Sequence, residues 1–174
     1  MVRPIALLSA AAAGLALAGS IVTAAPAGAT EPYVPPCTSD TVNVQAVYND
    51  GGMNKANYRI QVGNPENAPR SCSMVGFPGV DHAGPGAETI GAPAGRKTWQ
   101  PVQRLILAPG ETAYAELTIT NTGPFDPESC QAVESRGLQV WLPNTYDYTL
   151  VDLPHRACAN PELTLMSVGP MQHA

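Results

Sequence analysis

The chain has 174 residues, 44% of them hydrophobic, and nine Lys or Arg against 14 Asp or Glu give it a formal net charge of −5. That length suffices for one domain with its own core. An acidic chain whose largest basic cluster is Arg96-Lys97 repels phosphates, which excludes nucleic acid as a partner.

The chain opens MVRPIALLSAAAAGLALAGSIVTAAPAGATEP. Arg3 precedes an apolar run from Ile5 to Val22, and Ala27-Gly28-Ala29 follows. This order of charge, apolar run and Ala-x-Ala reads as a secretory signal peptide over residues 1–29, with cleavage after Ala29. Cys37 comes too late, behind Pro35-Pro36, to be a lipid-bearing cysteine. No later stretch approaches the ~20 apolar residues of a spanning helix. The mature chain is therefore expected to be secreted and extracellular, with no membrane insertion after cleavage. Four cysteines remain, Cys37, Cys72, Cys130 and Cys158, and an even count in an exported chain implies two disulfides. None of them has the C-x-x-C spacing of zinc sites, so no metal is expected on these thiols.

Residues 30–40 are proline-rich and read as an extended tail. TVNVQAVY (41–48) alternates, with Val42, Val44, Ala46 and Tyr48 on one face, and NYRIQVGN (57–64) repeats the pattern with Tyr58, Ile60 and Val62. With NDGGMNKA between them, the two runs predict an antiparallel hairpin. Residues 78–101 are rich in Gly and Pro and read as loop, with one short strand near 88–90. VQRLIL (102–107) and TAYAELTIT (112–120) follow, and Pro109-Gly110 predicts a tight turn joining them as a hairpin. In the second run Ala113, Ala115, Leu117 and Ile119 share a face. PESCQAVESRG allows one helical turn. LQVWL (138–142), YTLVDL (148–153) and LTLMSV (163–168) complete the strands. Seven or eight short strands, with turn signals at most junctions, predict an all-β, immunoglobulin-like antiparallel β-sandwich over residues 41–168. Residues 169–174 read as a flexible C-terminus.

VGNPENAPRSC (62–72), GFPGV (76–80), LAPGETAYAEL (107–117), the run from Cys130 to LQVWLP, and Ala157-Cys158 followed by LTL (163–165) together resemble a family of exported actinobacterial proteins with a β-sandwich domain of unknown function. The likeness spans Cys37 to Val168. It implies a fold and an exported location, and it brings no catalytic residues.

The two hairpins set the disulfide expectation. Cys37 precedes one hairpin and Cys72 follows it, while Cys130 and Cys158 bracket 138–153 in the same way. Pairing Cys37 with Cys72 and Cys130 with Cys158 closes both hairpins at their open ends. Loop-closure entropy makes each bridge worth roughly 3.5–4 kcal/mol. SCSMVGFPGVD (71–81) then reads as scaffold, with Phe77 in the core.

The expected function is a non-catalytic extracellular module that binds a cell-envelope component or a secreted protein and holds no cofactor. No G-x-S-x-G follows the leader, and no H-E-x-x-H or phosphate-cradling loop is present. The candidate binding surface is Trp141, Tyr146 and Tyr148. If Leu138, Val140 and Leu142 face the core, Trp141 points outward, and amphipathic aromatics are what recognition surfaces favour; the alternative is that a loop such as 81–101 covers Trp141 and the tyrosines only cap the sheet edge. One alternative is a serine-protease inhibitor presenting the loop after Cys72, on the Cys-x-Met spacing and the downstream proline. Another is an unrecognised hydrolase drawing on His82, His155 or His173. Met166, Met171 and His173 raise copper handling, since thioether and imidazole suit Cu(I), but Met166 reads more simply as a strand residue.

Overall fold

The computed structural model describes residues 32–174, and the expected leader over residues 1–29 lies outside them. The described chain is all-β. Its strands, numbered in chain order, form two sheets and a two-stranded ribbon. The larger sheet runs β1 (Asn43–Gly52), β2 (Lys55–Gly63), β8 (Thr112–Thr120), β11 (Met166–Val168) and β6 (Gly95–Arg96), and β12 (Gln172–His173) also pairs with β8. The second sheet runs β10 (Tyr148–Cys158), β9 (Ala132–Trp141), β4 (Gly79–Ala83) and β5 (Thr89–Ile90). The ribbon joins β3 (Cys72–Val75) to β7 (Arg104–Leu107). A single helical turn, α1 (Pro127–Cys130), is capped by Asp126, whose carboxylate accepts from the amides of Glu128 and Ser129.

The core follows from strict alternation. Ile60 and Val62 on β2, and Ala113, Ala115, Leu117 and Ile119 on β8, are buried. They belong to one cluster with Leu138, Val140 and Leu142 from the second sheet and Met74, Leu105 and Leu107 from the ribbon. Period-2 burial of this kind packs two sheets face to face. None of the chain's two tryptophans, six tyrosines and two phenylalanines is among the buried residues. The filling is aliphatic throughout, with methionine and cystine sulfur.

Both expected disulfides are present, Cys37–Cys72 and Cys130–Cys158. The second closes the open end of the β9–β10 hairpin, where Cys158 pairs with Ala132. The first does different work from that expected. Cys72 lies on the ribbon, so its bridge ties the segment before β1 to β3, and an isolated parallel bridge between Pro36 and Ser73 runs beside it. Residues up to 40 are thus partly docked rather than a free tail.

Four other expectations are corrected. Residues 107–112 are not a hairpin, because β7 pairs with β3 while β8 pairs with β2. The Pro109-Gly110 turn carries the chain from ribbon to sheet. It is held by buried Asn64, whose amide nitrogen donates to the Leu107 and Arg70 carbonyls (2.9 and 3.2 Å) and whose backbone bonds Gly110 and Glu111. Gly110 sits at φ +85, which explains the residue. The Gly- and Pro-rich stretch 78–101 is not all loop, since it holds β4, β5 and β6. Phe77 is half-buried at the surface, with the Arg96 guanidinium 5.5 Å from its ring centroid. Finally, residues 169–174 are not a loose end: Gln172 and His173 pair with Tyr114 and Ala113, and Met171 is buried in the core.

That last point is testable. Met171→Ala is expected to cost ~2–5 kcal/mol, the usual range for emptying a buried methionine site. Urea unfolding reads the loss directly. A midpoint equal to that of the wild type would mean that the terminus carries no tertiary contact.

Candidate functional site

Two places bring chemistry-bearing side chains together: an aromatic group outside the second sheet and a histidine pair at its inner edge. Across the second sheet, Gly79, Trp141 and Tyr148 pair in one row on β4, β9 and β10. Val80, Val140 and Val151 face the core, so this row faces outward. Trp141 is half-buried and Tyr148 is 42% exposed. Their rings lie 5.2 Å apart, tilted by 52°. Gly79 explains the burial of Trp141. A Cβ there would meet Trp141 Cβ at 3.4 Å and Cε3 at 3.6 Å, so the indole rests over bare backbone.

Tyr146 is fully exposed on the loop between β9 and β10. That loop is nonetheless fixed. The Thr145 hydroxyl bonds the Leu142 carbonyl (3.0 Å), Asn144 Nδ2 donates to the Val75 carbonyl (3.3 Å), and the Ser39 hydroxyl donates to the Asp147 carboxylate. The Ser39 hydrogen bond holds the Asp147 carboxyl below its ordinary range. Asn144 takes the left-handed conformation (φ 64) that asparagine tolerates at a tight corner.

Further along the same face, Asp81 pairs with Gln139. Gln139 is buried because the 84–89 segment folds over it. Thr89 donates to its side-chain oxygen (3.0 Å), and its own amide donates to the Ala87 carbonyl. Asp81 is half-buried, and desolvation raises its pKa.

The histidine pair was hidden from sequence reasoning. His82 Nδ1 and His155 Nε2 lie 2.7 Å apart, and His155 Nδ1 lies 2.6 Å from the Leu153 carbonyl. A carbonyl only accepts, so His155 carries its proton on Nδ1 and receives the His82 Nδ1 proton on Nε2. Both rings are neutral in this arrangement. His82 is 3% exposed, and burial followed by the His155 charge pushes its pKa down to about 4. Burial also lowers that of His155, opposed by the Leu153 carbonyl and by Glu134. Ser135, opposite His155 in the hairpin, directs its hydroxyl to the Ala83 and Gly137 carbonyls. His155 also lines a cleft of about 350 Å³ with Tyr58, Ile119, Thr122 and Arg156.

The other sequence candidates are dispersed. Met166 and Met171 are buried in the core, whereas His173 is exposed on the terminal strand. Among the described residues no three His, Cys, Asp or Glu side chains are grouped to hold a metal ion. The stretch after Cys72 is strand, corner and strand, with Met74 and Pro78 buried, rather than a presented loop. A cavity of about 550 Å³ beside the Cys37–Cys72 bridge, lined by Pro36, Pro65, Pro69 and Arg70, had no signal in the sequence.

The histidine pair makes a pH prediction. A base whose folded pKa lies below its unfolded value, here about 4 against 6.5 for His82, contributes stability that is present above pH 6.5. It is lost as the pH falls toward 4. For His82 this amounts to roughly 3 kcal/mol across the window. Asp81 has the opposite sign, because burial raises its pKa. Stability from urea unfolding should therefore fall between pH 7 and pH 5, and a His82→Gln/His155→Gln variant should show a flatter profile. A wild-type profile that is level over this interval would contradict the neutral pair.

Searched against curated proteins and against solved structures, the chain matches none. The profile of a domain of unknown function, DUF4232, matches residues 37–172, from the first disulfide cysteine to the terminal strand. The match takes in β1 to β11 whole and reaches the first residue of β12, and the chain belongs to the DUF4232 family.

Proposed function

We propose that this is an exported, non-catalytic recognition module that binds a cell-envelope component or a secreted protein through Trp141, Tyr146 and Tyr148. The leader-like N-terminus and the actinobacterial, exported family it resembles support the setting. So do two disulfides with no free cysteine, since such bridges persist in oxidising compartments. Among the described residues no helix is long and apolar enough to cross a membrane.

The observation that carries the binding reading is the conformation of Tyr146. A fully exposed tyrosine on a loop closed by its own Thr145–Leu142 hydrogen bond and pinned to β3 and to the segment before β1 is an aromatic ring displayed in advance. Fixing a loop beforehand removes the ordering cost that binding otherwise carries. Rigid aromatics are also the side chains most often found as binding hot spots.

Tyr146→Ala should weaken retention on isolated cell envelope, or on the captured secreted partner, by about 30-fold, a hot-spot effect of ~2 kcal/mol. Its melting temperature should not change, because the side chain touches nothing. Trp99→Ala, which removes another exposed ring, should bind as the wild type does. Undiminished retention of Tyr146→Ala would refute the reading.

A further inference from the structure

The same face carries a charge feature that narrows the partner, on the reading that the aromatic group is the contact surface. Strand alternation puts Gly79 and Asp81 of β4, Gln139 and Trp141 of β9, and Tyr148, Leu150 and Asp152 of β10 on the outer side. Asp81 stands diagonally from Trp141, ~7–8 Å away across adjacent strands. It is half-buried, and among the described residues it has no hydrogen bond and no ion pair. A partly desolvated carboxylate with no partner is unfavourable, and a cation placed beside it removes that penalty.

The ring geometry favours the same ligand. Trp141 and Tyr148 meet at 52°, which makes a notch rather than a flat platform. A flat platform suits a sugar ring, whereas two tilted faces suit a compact cation drawn to both ring quadrupoles within ~6 Å. Asp152 of β10 adds a second carboxylate on the same outer face. Two arginines are engaged elsewhere: Arg96 stacks on Phe77, and Arg136 donates to the Pro85 carbonyl (3.4 Å).

We infer that this notch binds the cationic head of a lysine or arginine side chain on a partner protein, with the Trp141 and Tyr148 rings as its seat and Asp81 as its counter-charge. The partner is a basic polypeptide segment, matched to the acidic net charge of −5 on this chain.

The Trp99→Phe protein leaves Trp141 as the sole tryptophan, so its emission reports on the notch. Titration with hexalysine at low ionic strength should shift that emission, and added salt should reverse the shift. Asp81→Asn should weaken hexalysine binding by about fivefold or more. Glu162→Gln, which removes the same charge from the exposed segment after Cys158, should leave binding unchanged. Equal weakening by both variants would reduce the effect to diffuse charge and overturn the inference, as would an emission unmoved by hexalysine. A neutral chito-oligosaccharide serves as the second ligand. If it shifts Trp141 while hexalysine does not, the cation inference fails and the aromatic contact surface stands. If Tyr146→Ala also leaves retention unchanged, both readings fail together.

Discussion

The packing of Ala113, Ala115, Leu117 and Ile119 on β8 against Leu138 and Val140 on β9 and Leu142 just after it holds the two sheets together, and the rest of the molecule depends on it. Two of the four β8 positions are alanine, and every side chain in the cluster is aliphatic or sulfur-bearing. Aromatic rings usually supply much of a core's buried area. Here no Phe, Tyr or Trp ring is fully buried and only Tyr58 packs against the cluster from its margin, so the tryptophans and the other tyrosines are distributed over the surface. A core filled by small branched side chains at native density has little slack. That fits the additional ties found at its periphery: two disulfides, the Asn64 knot at the ribbon-to-sheet corner, and a terminal segment closed down by Met171.

Much of this was legible in the chain. At 57–64 and 112–120 the alternation gives the inward face correctly, because burial of one sheet face imposes a period of two, whereas at 41–48 Tyr48 on the apolar face is exposed. Both disulfide pairings are as expected, but the hairpin bracket explains only Cys130–Cys158, because Cys72 lies on the ribbon. β4 escaped because its inward residues are Val80 and His82. The alternation shows only if histidine counts as an interior residue, which it does here because His155, some 70 residues away, takes its proton. Pro109-Gly110 was misread for a different reason. The turn residues of a hairpin and of a sheet-to-sheet crossing are the same, and only the partner strands distinguish them.

The aromatic face shows the same division. Alternation alone turns Trp141 away from the core, as the structure has it. The half-burial of Trp141 depends on Gly79, which lies in the stretch that composition marked as loop. Asp81 lies there too, so the neighbour that gives the face its charge was invisible until β4 was placed. The order of causes runs from an aliphatic core, through rings left outside it, to a notch set by the pairing of β4 with β9.

This chain fixes an exposed aromatic loop in place before any partner arrives. Backbone ¹⁵N relaxation of the free protein tests it most directly, at Asn144, Thr145, Tyr146 and Asp147. Order parameters near 0.85, equal to those of the flanking strands β9 and β10, are expected. Values below about 0.6 across these residues, the range of flexible backbone, would contradict it.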